Sequence, residues 1–161
     1  MKVLSMFGLA VVALATAVVG AGQLGFLAGS PPAQLGVTDG RLQRPSLSPN
    51  SVSSQAALYV GHPQLAYANI EPLSFTGDGD AAMTRLAALL ERTSGTLIVK
   101  RQPGYIYAQC TTPLLRFTDD VEFWLDRSAG QIQVRSASRL GRKDFGANRA
   151  RIEAIRARFQ P

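Results

Sequence analysis

Residues 119–135 read D-D-V-E-F-W-L-D-R-S-A-G-Q-I-Q-V-R, and this stretch predicts a β-hairpin. Apolar and polar residues alternate from 119 to 126 and again from 131 to 135, which is the period of a strand with one buried face. The register that follows places three pairs opposite each other: Leu125 with Ile132, Phe123 with Val134, and Glu122 with Arg135. The last pair predicts a cross-strand ion pair on the outer face, which stabilises the hairpin by about 0.2–1 kcal/mol.

The residues around the hairpin predict helices and further strands. Apolar residues at helical spacing indicate a helix over 80–93, with Asp78 or Asp80 as its N-cap and Gly95 after its end. Strands follow over 96–101 and 105–112. A terminal helix begins near Phe145 or Gly146, and its inward face is predicted to carry Phe145, Asn148, Ile152, Ile155 and Phe159. The predicted fold class is therefore α+β, a small antiparallel β-sheet packed with helices.

The N-terminal segment is apolar from residue 3 to 28, apart from Ser5, Thr16 and Gln23. About 20 helical residues span the hydrocarbon core of a bilayer, so this segment predicts a transmembrane anchor. A signal peptide is the alternative, with cleavage sites at residues 15–17 or 20–22. We therefore divide the chain into an anchor or signal helix (1–29), a Gly/Pro/Ser-rich linker with a turn-rich motif (30–54) and a globular domain (55–161).

The position of Lys2 before the apolar segment predicts that the rest of the chain is exported. We expect a single-pass protein of the cell inner membrane with a periplasmic C-terminal domain, or a periplasmic protein if the segment is cleaved. Cys110 is the only cysteine, so no disulfide can form within the chain. As an inward residue of its strand, it is expected to be a buried, unreactive thiol.

The net charge of +6 is concentrated near the C-terminus, where residues 127–158 contain nine Arg or Lys and two acidic residues. Export and the lack of interleaved aromatic residues argue against a nucleic-acid partner. An anionic membrane surface, reached through Arg151, Arg156 and Arg158, or an acidic protein partner fits better. The alternative is that several arginines neutralise the acidic cluster just before them within the fold.

One candidate acid/base or polar cluster consists of three neighbouring carboxylates and the single histidine: Asp119, Asp120, Glu122 and His62. Paired carboxylates separate each other's pKa values, as acid/base chemistry requires. Structural ion pairs with arginines are the alternative that we favour. We predict no metal site, because one histidine without a second ligand at helical spacing does not supply the three or four ligands needed.

A second candidate site lies at the predicted start of the terminal helix, where an anion or an acidic partner would be bound. Backbone amides at a helix N-terminus and nearby arginines attract anions. The residues concerned are Arg135, Ser136, Ser138, Arg139, Asp144, Asn148 and Arg149. In the alternative interpretation, Asp144 caps the helix and pairs with Arg139 or Arg149. The two interpretations exclude each other, because a capping carboxylate occupies the place of a ligand anion.

Several motifs together resemble a family of exported bacterial and plastid proteins, the domain of unknown function 1499. They are S-P-N at 48–50, V-S-S-Q at 52–55, His62, P-L at 72–73, D-D-V-E-F at 119–123 and R-S-A-S-R-x-G-x-x-D-x-G-x-N-R at 135–149. The resemblance covers about residues 35–159 and implies no established activity, substrate or cofactor. Many relatives carry a cysteine pair where this chain has Pro45 and Ser51.

From these observations the sequence predicts a membrane-anchored, exported binding or accessory module that requires no cofactor. The alternative is a small envelope enzyme that uses Asp119, Asp120 and Glu122 with His62 on an anionic substrate. A cleft joining His62 to the carboxylates would favour the enzyme, whereas a saturated ion-pair network with His62 elsewhere would favour the binding module.

Overall fold

The computed structural model describes residues 2–159. It confirms the α+β class, with one antiparallel sheet and helices packed on it. The helices are α1 (Lys2–Gln23), α2 (Leu65–Ala68), α3 (Gly79–Glu91) and α4 (Ala147–Arg158), with a 3-10 turn at Ala56–Leu58. The strands are β1 (Ser51–Ser53), β2 (Leu73–Ser74), β3 (Thr96–Gln102), β4 (Tyr105–Thr111), β5 (Thr118–Asp126) and β6 (Gln131–Ser138).

The sheet has the strand order β1-β6-β5-β4-β3, and β2 pairs with the opposite end of β6 from β1. The hairpin β5–β6 has the predicted register, since Leu125 lies opposite Ile132 and Phe123 opposite Val134. Strand β6 continues three residues further than predicted, to Ser138. The extension arises because β1 pairs with β6 at residues 135–137 and supplies backbone partners that the local pattern does not reveal.

The core lies between the sheet and helices α3 and α4. Val121, Phe123 and Val134 are fully buried on this face of the sheet. The predicted stripe of α3 packs against them, and Asp78 caps this helix by accepting a hydrogen bond from the amide of Ala81. We refer to this side of the sheet as the helix-covered face.

The other side of the sheet is covered by part of the segment predicted to be a linker. Leu42 is buried there, and Leu35 and Val37 pack with it against Tyr105 and Tyr107. We call residues 35–42 the strap and this side the strap-covered face. The prediction of an outer face for the Glu122–Arg135 pair is therefore wrong with respect to burial: Glu122 has no exposed surface, and its neighbour on this face, Asp120, is buried as well.

The V-S-S-Q motif holds the strap in place. Gln55 accepts a hydrogen bond from the amide of Leu42 at 2.8 Å and donates one to the carbonyl of Gly40 at 2.9 Å. Ser54 donates to the side chain of Gln133 on β6 and accepts from the amide of Val134. The motif thus connects the strap to the edge of the sheet.

Helix α4 presents most of its predicted inward face to the sheet. Asn148, Ile152, Ile155 and Phe159 are buried as predicted. Phe145 is an exception: it precedes the helix, has a positive φ of 52° and is 94% exposed. The prediction for Phe145 is wrong because the helix begins only at Ala147, after Gly146 has turned the chain.

Helix α1 contains an apolar stretch, Met6–Gln23, that is long and apolar enough to cross a membrane. Its last turn contacts the domain. Gln23 donates from Nε2 to the carbonyls of Pro113 and Leu114, at 3.1 and 2.8 Å. Gly22 lies so close to Leu115 that an added Cβ would be 2.4 Å from the carbonyl oxygen of Leu115.

Candidate functional site

The alternation of β5 separates the three predicted carboxylates. Asp120 and Glu122 lie on the strap-covered face, whereas Asp119 shares the helix-covered face with Val121. Asp119 binds Arg151 of α4, with 2.5 Å between Oδ2 and Nη2. The three carboxylates therefore lie on opposite sides of the sheet and do not form one site.

On the strap-covered face, Glu122 is the centre of the first network. Its Oε1 accepts hydrogen bonds from the Tyr105 hydroxyl at 2.8 Å and from the amide of Gly36 at 2.6 Å. Its Oε2 faces Nη1 of Arg135 at 3.3 Å, which confirms the predicted cross-strand ion pair. Burial and the neighbouring Glu122 raise the pKa of Tyr105, so that its hydroxyl stays a donor.

Asp120 is the centre of a second network of the same composition. Arg139 forms a bidentate ion pair with it, from Nε to Oδ2 at 2.9 Å and from Nη2 to Oδ1 at 2.7 Å. The Tyr107 hydroxyl donates to Oδ1 at 2.7 Å. Burial and this hydrogen bond raise the pKa of Tyr107. Each carboxylate of the strap-covered face thus has one tyrosine and one arginine as partners.

A third network joins β6 to α4 on the helix-covered face. Ser136 donates to Oδ1 of Asn148, and Arg151 donates to both of them at 2.9 and 2.8 Å. The side-chain nitrogen Nδ2 of Asn148 donates to the carbonyl of Asn50 at 3.0 Å and to the hydroxyl of Ser138 at 2.9 Å. Residues from the S-P-N motif, β6 and α4 therefore meet around one buried asparagine, which finds the partners we expected.

Asp144 occupies the predicted anion site. Its carboxylate accepts from the backbone amides of Gly146 and Asn148, each at 3.0 Å, and from the hydroxyl of Tyr67. Burial alone would raise the pKa of Asp144, but the hydrogen bonds from Tyr67, Asn148 and Gly146 outweigh it and lower the pKa. The predicted pairing of Asp144 with Arg139 or Arg149 is wrong, because Arg139 binds Asp120 and Arg149 binds backbone carbonyls.

Arg149 borders an open cleft. Its Nη2 donates to the carbonyls of Tyr67 and Asn69, each at 2.7 Å, and within residues 2–159 it has no carboxylate partner. The cleft has a volume of about 490 Å³ and is lined by Ala57, Leu65, Ala66, Tyr67, Asn69 and Arg149. Another cleft of about 430 Å³, around residues 38–44, contains none of the candidate residues.

His62 belongs to none of the networks formed by Asp119, Asp120 and Glu122. Its Nδ1 accepts from the amide of Gln64 at 3.2 Å, so its Nε2 donates to the carbonyl of Pro45 at 3.0 Å. Both ring nitrogens of His62 therefore have backbone partners, one in its own turn and one in the loop that contains Pro45. Across residues 2–159, no group of three or more His, Cys, Asp or Glu side chains is placed to bind one metal ion.

Cys110 is buried on the core side of β4, as expected, and this burial raises the pKa of its thiol. In the loop that contains Pro45 and Ser51, the side chain of Ser51 accepts from the amide of Ser46 at 2.8 Å, and Pro45 supplies the carbonyl bound by His62. Hydrogen bonds from Ser46 and His62 therefore hold the loop around Pro45 and Ser51.

Sequence reasoning missed the tyrosines that complete the networks. Tyr105 and Tyr107 alternate on the polar face of β4, and this spacing is a signal that could have placed them beside the carboxylates of β5. Tyr67 and Gly36 give no such signal, since both come from irregular segments that reach their partners through tertiary contacts.

Comparison with known proteins gives one match. The model of a family described as a protein of unknown function, DUF1499, matches residues 41–159. No curated protein and no solved structure matches the chain. The match begins within the strap and ends after α4, so it includes the three networks apart from Gly36.

Proposed function

Because the chain belongs to the DUF1499 family of unknown function, we propose from its own residues that it is a membrane-anchored binding module. The ligand is an amphiphilic anion held in the cleft beside Arg149. One observation carries this proposal. Of the three arginines predicted for the anion site, Arg149 lines a cleft and lacks a carboxylate partner among residues 2–159, whereas Arg135 and Arg139 each have one.

The surroundings of the cleft suit a ligand that is anionic at one end and apolar at the other. Two backbone carbonyls accept hydrogen bonds from Nη2 of Arg149 and so fix the orientation of its guanidinium group. The Nη1 and Nε donors are left to bind an anion. Leu58 and Val60 are 47% and 97% exposed in the segment that precedes α2, and Leu65 lines the cleft itself. Apolar surface with a single charged group is typical of small-molecule sites.

Membrane anchoring is supported by the contacts of the last turn of α1. Cleavage at 20–22 would remove or expose the segment that docks on residues 113–115. The contacts of Gly22 and Gln23 therefore argue against cleavage at 20–22, and with the apolar length of the segment they support a retained anchor. We place the domain outside the cytoplasm because of Lys2, as the sequence predicts.

Binding is favoured over catalysis because the carboxylates have structural partners. Asp120 and Glu122 each accept from an arginine and a tyrosine, and both ring nitrogens of His62 hydrogen-bond to the backbone, of Gln64 and of Pro45. A general acid or base must reach its substrate directly or through one water. The small envelope enzyme thus stays a prediction without an observation in its favour.

The full-length protein in nanodiscs of zwitterionic lipid tests the binding site. We expect hexyl phosphate and hexanoate to raise the unfolding temperature, and the neutral hexanol to leave it unchanged. Ala66→Trp should abolish both shifts, because the indole fills the cleft. Ala129→Trp, the same change in the exposed turn between β5 and β6, should retain them. Equal shifts in the two variants would contradict the proposed site.

Anchoring is tested separately, by the mass of the purified protein and by its partition after a carbonate wash of membranes. An intact N-terminus in the membrane pellet is expected. A shortened protein in the soluble fraction would contradict the anchor and leave the cleft to be judged by ligand binding alone.

A further inference from the structure

One end of the sheet differs from the other in what it exposes. Strands β4, β5 and β6 all have an end here, since Thr111 lies opposite Thr118 and Asp119 opposite Ser138. We call this the anchor end and define it by residues 24–26 and the loops 112–117 and 139–146. The opposite, far end consists of the turns 103–104 and 127–130.

The anchor end is joined to the last turn of α1. Gln23 hydrogen-bonds to the carbonyls of Pro113 and Leu114, and Gly29 lies against Arg139 and Leu140, where an added Cβ would be 2.8 Å from the Cβ of Arg139. The helix has 22 residues, and at 1.5 Å per residue its length of about 33 Å matches a hydrocarbon core of about 30 Å. If Met6–Gln23 crosses the bilayer, the loop bonded to Gln23 lies at the membrane boundary.

Several large apolar side chains are exposed at this end. Leu24 and Phe26 are 76% and 75% exposed just after α1, and Leu114 is 62% exposed in the loop that binds Gln23. Phe145 is 94% exposed and is held out by a left-handed backbone conformation that bulky residues rarely adopt. Large exposed apolar residues at the same end of a domain indicate a contact surface.

Basic residues lie among these apolar ones. Arg116, Arg142 and Lys143 are exposed in the two loops. The sequence suggested Arg151, Arg156 and Arg158 for a membrane surface. Arg151 binds Asp119, Arg156 binds Glu153 and two backbone carbonyls, and Arg158 is exposed and donates to the Thr93 hydroxyl. The far end is different again, because its turns contain only Pro, Gly, Ala, Ser and one arginine, Arg127, which pairs with Asp80.

We infer that the anchor end rests on the bilayer from which α1 emerges, with its apolar side chains in the interface and its basic side chains on anionic headgroups. This inference depends on the anchoring proposed above but not on the ligand cleft. Apolar side chains entering the interface and cations meeting anionic lipid are the two components of peripheral membrane binding. The domain is then held in one orientation, with its far end directed away from the membrane.

Site-specific labelling of the full-length protein in nanodiscs tests this orientation. Single cysteines replace Leu114, Phe145 or Ser128 in a Cys110→Ala background, and each carries an environment-sensitive fluorophore. The first two positions are at the anchor end and Ser128 is at the far end; all are exposed, so labelling leaves the packing intact. Lipids with a nitroxide headgroup should quench the labels at 114 and 145 at least threefold more than the label at 128.

The lipid composition tests the charged part of the surface. We expect the quenching at 145 to fall when anionic lipid is omitted, and also in Arg142→Gln/Lys143→Gln, but not in Arg127→Gln. Equal quenching at all three positions in protein that co-elutes with the discs would overturn the orientation while leaving the anchor intact. Protein that does not co-elute with the discs would instead contradict the anchoring itself.

Discussion

The two faces of the sheet are both buried, yet they are stabilised in opposite ways. The helix-covered face carries Val121, Phe123 and Val134 against α3 and α4, and outside the network around Asn148 its stability comes from apolar area removed from water. The strap-covered face carries the buried carboxylates Asp120 and Glu122, and each needs its tyrosine and arginine.

This difference determines how each face responds to substitution. Apolar packing loses free energy in proportion to the volume removed, whereas a buried ion pair that loses one member leaves an uncompensated charge. Burial of an ion pair is also weak support for stability as a whole, since desolvation offsets most of the attraction. The strap-covered face therefore selects one arrangement of the strap more than it strengthens the fold.

The largest effect is expected on the strap-covered face. Glu122→Gln should lower the free energy of unfolding by about 3–5 kcal/mol, because it leaves the charge of Arg135 buried without a partner. Guanidinium chloride unfolding of the detergent-solubilised full-length protein measures this loss.

A combined variant separates charge imbalance from packing. Tyr105→Phe/Glu122→Met/Arg135→Met removes the whole polar group and should recover most of the loss caused by Glu122→Gln. If the triple variant were less stable than the single one, the network would contribute net stability, and the contrast between the two faces would fail.

A smaller effect is expected from Asp144, at the polar edge of the helix-covered face. Asp144→Asn should cost about 0.5–2 kcal/mol at neutral pH, because the amide replaces a carboxylate that accepts from the amides at the start of α4. The folded-state pKa of Asp144 is lowered, so its stabilisation is present above the unfolded pKa of about 3.9 and is lost as the pH falls through the folded-state pKa.

Thermal unfolding between pH 7 and pH 2 therefore checks the sign as well as the size of this effect. The difference between wild type and Asp144→Asn should close as the pH is lowered. Tyr67→Phe serves as a control, because it removes one of the donors and should show part of the same dependence. A difference that stays constant with pH would exclude the carboxylate as its source.

The smallest effect is expected in the apolar core. Ile132→Val removes one methylene from a fully buried side chain and should cost about 0.5–1.5 kcal/mol, independent of pH. The same denaturant titration measures it. A loss as large as that of Glu122→Gln would show that the helix-covered face is as intolerant as the strap-covered one.

Local patterns predicted much of the fold. The alternation in 119–135 predicted the register of β5 and β6, including the contact of Glu122 with Arg135. The extension of β6 to Ser138 could not be predicted, because it depends on pairing with β1, more than 80 residues away in sequence. The candidate site was predicted as a set of residues but not as a geometry.

Two residues illustrate why the geometry was missed. Asp119 and Asp120 are adjacent in sequence, yet they bind Arg151 and Arg139 on opposite faces of the sheet. Their different faces follow from the strand period, but the choice of arginine follows from where α4 and the loop after β6 are placed. That placement results from long-range packing, which no local pattern contains.

The class of the fold, the hairpin register, the apolar N-terminal helix and the candidate polar residues could all be read from the amino-acid sequence. These follow from local physics, since periodicity, turn residues and apolar length act over a few neighbouring positions. Three further features emerged only from the folded chain: a predicted linker covers Glu122, Asp144 fills the anion site, and Arg149 is left with a cleft. Burial and partner choice depend on which distant segments meet. In this chain, contact with residues 35–42 buries the polar face of the sheet that the sequence predicted to be exposed.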